Sequence, residues 1–278
     1  MSLDYPNLQI LPTQSMVVHE QHDLQRTSPL IDKLKSSGVL RNPPIVTPLP
    51  DESGRFMVLD GANRTTALKN MGLPHVIAQV VEPDSPAQEL KTWNHVVWDF
   101  NSETLIEKIR EINNLDFSTV SAREDANQLW EKNKLAWVQT ASGQSLAGSL
   151  TSDDLVSRVN ILNSLVDTYK QDSKMDRTQV QDIRDLNGLY DNLCALVVFP
   201  PFSVNDLLKL SSQGLLLPTG ITRFSVSPRA LRVNFPLDEL AAERELEEKN
   251  AALERWLHKR IARKGVRYYS EATVLYDE

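Results

Sequence analysis

The sequence predicts an α+β fold with a small first lobe and a second, mostly helical lobe. Three observations carry this. Up to residue 81, strand-length apolar runs alternate with two segments of helical period. Residues 82–86 then include Pro83 and Pro86 with little apolar content and read as a linker, dividing the chain into 1–82 and 83–278. Beyond the linker, amphipathic helical segments dominate. The 278 residues suit about two domains of roughly 150 residues each.

The elements follow in order. Residues 8–11 and 15–18 are short apolar runs parted by Pro12 and Thr13. Leu30, Ile31 and Leu34 lie at helical spacing, and Gly38 closes that helix. Pro43 and Pro44 force an extended approach to a strand at 45–47. Turn chemistry at 51–54 precedes a strand at 56–59, which Asp60 and Gly61 break. A helix spans 62–71, closed by Gly72, and the β-branched run 76–81 is a strand. In the second lobe, helices are expected at 102–113 with Ser102 as N-cap, at 123–133, at 151–169 and at 204–213 with Ser203 as N-cap. Strands are expected at 136–140, 194–199 and 230–234, and one long charged helix at 237–262.

Composition narrows the function classes. Apolar residues make up 41% and charged residues 24%, which excludes disordered and collagen-like chains. The net charge of −7 disfavours nucleic acid as a partner, leaving only a local basic patch to serve it. The single cysteine, Cys194, allows no internal disulfide and points to a reducing, cytoplasmic setting. No basic segment followed by an apolar run opens the chain, and no apolar run approaches the ~20 residues of a membrane span, so neither a signal peptide nor a membrane partner is expected.

The sharpest local feature is Asp60-Gly61-Ala62-Asn63-Arg64-Thr65-Thr66, where a strand runs into a helix. Free N–H groups and the dipole at a helix start attract anions, and Arg64 can add a bidentate phosphate contact. Asp60 can hold a metal ion, orient Arg64, or simply cap the helix, with Arg64 in an ordinary ion pair. His19-Glu20-Gln21-His22 follows a short strand; a carboxylate there can serve as a general base, or the group can be a solvated turn. Leu217-Pro218-Thr219-Gly220-Ile221-Thr222-Arg223-Phe224, followed by Ser227-Pro228-Arg229, places hydroxyls, a glycine and a guanidinium in one loop, which suits an anion site or a plain turn. Trp93 and Trp98 flank Asn94 and His95, either walling a pocket or packing in the core.

Taken together, His19-Glu20, the run 38–45, the loop 59–68 and Leu73 resemble the N-terminal domain of the ParB/sulfiredoxin superfamily. Within it the pattern resembles the free L-serine kinases, the archaeal ADP-dependent and siderophore-pathway ATP-dependent type. Phe199-Pro200-Pro201-Phe202, the segment 217–224 and the segment 229–234 resemble their C-terminal half. The resemblance implies a cleft between two lobes and transfer of a phosphoryl group from ATP or ADP, with Mg2+, to the hydroxyl of free L-serine. It implies Glu20 and Asp60 as catalytic residues, with Asp60 also near magnesium. Gly61, Ala62, Asn63, Arg64 and Thr65 would bind the nucleotide phosphates; Thr222, Arg223 and Trp93 would face the substrate. Relatives carry histidine before the loop arginine and after the Thr-Arg pair, where this chain has Ala62-Asn63 and Phe224. The alternative is a non-catalytic, ParB-like nucleotide-binding regulator or DNA-associated switch. The resemblance leaves oligomeric state open; the helix at 237–262 can pack on its own lobe or in a homodimer.

Overall fold

A computed structural model describes residues 5–21, 24–121, 126–131, 134–151 and 154–269. The first lobe contains β1 (Leu8–Pro12), β2 (Met16–Val18), α1 (Leu24–Ser37), β3 (Val39–Leu40), β4 (Ile45–Pro48), β5 (Phe56–Asp60), α2 (Ala62–Asn70) and β6 (His75–Val80). Five strands form a mixed sheet in the order β1-β6-β4-β5-β2. At β4 and β5 both faces are buried, because the pleat divides these strands between two cores. Val46 and Val58 turn to a core shared with Leu34 of α1 and Leu68 of α2. Ile45, Met57 and Leu59 turn to the core of the second lobe.

The second lobe comprises β7 (Gln88–Thr92), β8 (Asn94–Trp98), α3 (Ser102–Arg110), β9 (Leu115–Thr119), α4 (Ala126–Glu131), β10 (Lys134–Thr140), β11 (Ser145–Leu150), α5 (Leu155–Asp167), β12 (Lys174–Thr178), β13 (Leu193–Val198), α6 (Val204–Ser212) and β14 (Thr222–Val226). The chain ends with β15 (Phe235–Pro236), α7 (Leu237–Ala241) and α8 (Leu246–Ala262). A six-stranded antiparallel sheet, β12-β8-β13-β10-β11-β9, forms the frame of this lobe. The expectation of a mostly helical lobe is therefore corrected to a sheet with helices packed on it. The missed strands explain the difference. β12 and β9 are edge strands with mostly polar sequences, so no apolar alternation marks them.

Several boundaries also move. Asn101, not Ser102, caps α3, accepting from the N–H groups of Glu103 and Thr104, while the Ser102 hydroxyl donates to the Cys194 carbonyl. The Ser203 cap holds, completed by Asp206 as a capping box. Residues 230–234 are not a strand, because Arg232 and Asn234 both take left-handed backbone; pairing starts at Phe235, against Leu40. The long C-terminal helix is two helices. Between them Ala242 and Glu245 are extended, which folds α8 back beside α7. Lys249, 1% exposed, then donates to the Leu240 carbonyl at 2.7 Å and lies 3.0 Å from His75 Nδ1. In an unbroken helix the nine residues separating them would span about 13 Å.

Through this fold-back the C-terminus joins the first core, where Phe235, Leu237, Leu240 and Leu253 pack with Ile10 and Ile77. Asn250 pairs with both the N–H and the C=O of Ile10, at 2.9 Å each, satisfying the free edge of β1. Among the described residues no helix is long and apolar enough to cross a membrane.

Candidate active site

The two lobes are stitched together at Glu20. Leu217 N–H donates to the His19 carbonyl and Gln21 N–H to the Leu217 carbonyl, both at 2.9 Å, which carries Glu20 beside residues 219–222. Its Oε1 accepts from Ile221 N–H (3.1 Å), Thr222 N–H (2.6 Å) and the Thr222 hydroxyl. Among the described residues its Oε2 accepts only from Gly220 N–H, at 2.7 Å. The carboxylate thus occupies a nest of backbone amides, which fixes it in place. Oε1 is saturated and Oε2 keeps an accepting position.

His19 is buried beneath this group. Its Nδ1 lies 2.7 Å from the Val58 carbonyl and therefore carries a hydrogen; its Nε2 lies 2.7 Å from the Thr222 hydroxyl. Phe224 stands edge-on to the His19 ring, 5.6 Å between centroids. His22 lies outside the described residues.

Asp60 ends β5, and the chain passes through Gly61 directly into α2. Gly61 is the N-cap, at φ 95°, and no side chain caps the helix. A Cβ there would lie 3.0 Å from Arg64 Nη2 and 3.1 Å from Pro44 Cβ, so the loop demands glycine. Asp60 is thus not the helix cap. Its Oδ2 instead accepts from Arg64 at 2.7 Å and from Arg229. Arg64 also donates to the Asn42 carbonyl at 2.7 Å, so one guanidinium ties the β3–β4 loop, β5 and α2 together. Burial pulls its pKa down and Asp60 opposes this. Thr65 is fully buried, its hydroxyl unpartnered among the described residues.

Glu20, Gln21, Asp60, Gly61, Ala62, Asn63 and Arg64 line one pocket of about 310 Å³ with Met175, Asp176, Arg177 and Thr219. The expected base and the expected phosphate loop therefore share a cavity. Trp93, Thr222 and Arg223 gather beside it on the β7–β14 ribbon, where Arg223 lies 4.6 Å over the Trp93 ring and Thr222 pairs with Thr92. They are not among the pocket-lining residues. Trp98 packs against Tyr190.

Two contributors escaped sequence reasoning. Arg229 was visible in Ser227-Pro228-Arg229, but nothing local tied it to Asp60. Arg177 sits on a strand with no apolar signal. No group of three or more His, Cys, Asp or Glu suited to a metal ion occurs among the described residues. Asp60 Oδ1, with neither guanidinium on it, is the one-carboxylate kind of donor that Mg2+ uses when phosphate oxygens supply further ligands.

Below the loop, His95 is completely buried. It lies 2.8 Å from the Tyr169 hydroxyl through Nδ1 and 3.3 Å from the Gly220 carbonyl through Nε2. Burial, its largest cause, lowers the His95 pKa to about 4, and burial raises that of Tyr169. A neutral ring with hydrogen on Nε2 satisfies both bonds, with Tyr169 donating. Because the unfolded chain binds this proton near 6.5, it holds more protons than the folded one between about 4 and 6.5. Stability contributed here is complete above 6.5 and lost as pH falls, by up to about 3 kcal/mol. Urea titrations from pH 4 to 7 should show this slope in the native protein and a flatter one in His95→Gln.

No family model matches the chain. It is 23% identical over 252 residues to SbnI, an ATP-dependent L-serine kinase of Staphylococcus aureus, covering 88% of both chains. It is 24% identical over 236 residues to an ATP-dependent L-serine kinase of Staphylothermus marinus, covering 83% of this chain and 90% of the other. Among solved structures, C-terminally truncated SbnI superposes with a TM-score of 0.70 at 21% identity, over 92% of this chain and 97% of that one. A free serine kinase in complex with AMP superposes with a TM-score of 0.66 at 13% identity, over 86% and 98%. The mixed α+β fold of these proteins is the fold of this chain, and the likeness to free L-serine kinases runs through both lobes.

Proposed function

We propose that this chain, similar to the free L-serine kinases over most of its length, transfers the terminal phosphoryl group of ATP to the hydroxyl of free L-serine, giving O-phospho-L-serine. The observation that carries the reading is the meeting of Glu20 with the Asp60–Arg64 loop in one pocket. The curated relatives named above are ATP-dependent, which favours ATP over ADP as donor.

The pocket serves as the cleft between the lobes. The uncapped N-terminus of α2 and Arg64 receive the nucleotide phosphates. The serine hydroxyl approaches Glu20 Oε2, the carboxylate oxygen with a single donor among the described residues. As the serine Oγ–P bond forms, the bond from phosphorus to the bridging oxygen breaks and its electron pair leaves with ADP. The hydroxyl proton passes to Glu20, which the amide nest holds in position. Thr222 and Arg223 keep the nest and its ribbon in register, with Trp93 beneath Arg223. Mg2+, where bound, would be held by Asp60 with phosphate oxygens and would offset charge on the phosphates. Asn63 offers an amide donor where relatives carry imidazole.

The test is incubation with Mg2+, L-serine and either ATP or ADP, with O-phosphoserine read by mass spectrometry. Product from ATP, lost with EDTA, supports the kinase. Nucleotide binding without product from either donor overturns it in favour of a nucleotide-binding regulator. L-threonine and L-homoserine in parallel define the acceptor, since a methyl or methylene changes discrimination by only about 1–3 kcal/mol.

A further inference from the structure

We propose that Arg177 is a catalytic residue of this site, its guanidinium holding the oxygens of the phosphoryl group as it moves between nucleotide and acceptor. The proposal rests on the kinase reading above. Arg177 lies on β12 directly opposite His95 of β8, so the pleat turns both side chains to the same face. Both meet Gly220: His95 through the carbonyl, Arg177 along the Cα. A Cβ on residue 220 would lie 3.0 Å from Arg177 Cδ and 3.0 Å from its Nε. Glycine, already required by a φ of 76°, thus leaves the space in which the guanidinium lies. The same Gly220 donates its N–H to Glu20 Oε2, which sets Arg177 one residue from the carboxylate that takes the proton.

The charges of the pocket single it out. Arg64 and Arg229 both lie on Asp60, and Glu20 is held by amides. Asp176, beside Arg177 in the chain, accepts from the Tyr190 hydroxyl and from the Arg177 backbone N–H. No described residue pairs with the Arg177 guanidinium, which lines the pocket with all its side-chain donors uncommitted. A triphosphate brings several negative charges, and the moving phosphoryl spreads charge over its equatorial oxygens. A planar guanidinium matches two such oxygens at once, as a lysine ammonium does not. During the step the acceptor oxygen–phosphorus bond forms, the phosphorus–leaving oxygen bond breaks with its electron pair on ADP, and Arg177 gains no proton and loses none.

The test uses the full chain with Arg177→Ala and Arg177→Lys, measuring kcat, the KM of ATP and of serine, and ATP affinity by calorimetry. The expected result is a kcat about 100-fold lower or more in Arg177→Ala, with ATP affinity changed far less. Arg177→Lys should recover little, and millimolar guanidinium in solution should restore part of the Arg177→Ala rate without affecting native enzyme. A kcat within threefold of native overturns the proposal. So does an effect confined to the KM of serine, which would place Arg177 on the amino-acid carboxylate. Native protein that makes no phosphoserine removes the reading beneath the proposal, and the proposal with it.

Discussion

Glu20→Gln should lower O-phosphoserine formation by about 10²–10⁴-fold, the usual worth of a positioned general base. The amide cannot accept the serine proton. It also presents an NH2 group to a nest whose backbone members, Gly220, Ile221 and Thr222 N–H, are all donors. One buried N–H then faces another donor, a cost of about 1–3 kcal/mol in stability. Two readouts separate the effects. Steady-state rates should fall by orders of magnitude, while urea midpoints shift modestly and ATP still binds. Full activity in a folded Glu20→Gln protein would leave Glu20 as a loop anchor and nothing more.

Arg64→Ala should act on nucleotide binding and on the fold of the first lobe together. Its guanidinium is mostly buried and joins the Asn42 carbonyl to Asp60 at 2.7 Å each. Losing a hydrogen bond to a charged group costs about 1.5–3 kcal/mol, so the KM of ATP should rise roughly 10- to 100-fold. The freed space under Gly61 should loosen the loop, since the arginine packs against that residue's Cα. Arg64→Lys should rescue little, because one ammonium cannot span both partners. An unchanged KM for ATP, with only stability reduced, would make Arg64 a brace for Asp60 with no part in phosphate binding.

Much of the first lobe was legible because its signals are local. The strand at 56–60, the glycine and the helix at 62–70 follow one another with no intervening loop, and each has a short-range cause. The second lobe was less legible. Its edge strands β9 and β12 are polar, and the break between α7 and α8 involves neither proline nor glycine; it is held by Lys249 on the Leu240 carbonyl. Such a contact has no signature at the residues it breaks. Of the candidate site, Glu20 and the loop 60–64 were named from sequence, by likeness and by chemistry. That Glu20 would lie in a nest of amides, and Thr65 be fully buried, was not visible.

By itself the sequence determined those local features that have a short-range cause: the helix-ending glycines Gly38 and Gly72, the Ser203 cap of α6, and which residue types could bear an anion or take a proton. Those depend on sterics and hydrogen bonding within a few residues. Only the tertiary structure decided which of them meet. Glu20 and Gly220 are 200 positions apart, and Asp60 and Arg229 are 169 apart, joined by hydrogen bonds. They come together because the first sheet buries one face against the second lobe, and burial of that face depends on apolar area contributed by both halves of the chain. Periodicity reveals that a face is buried; only packing selects the surface that covers it.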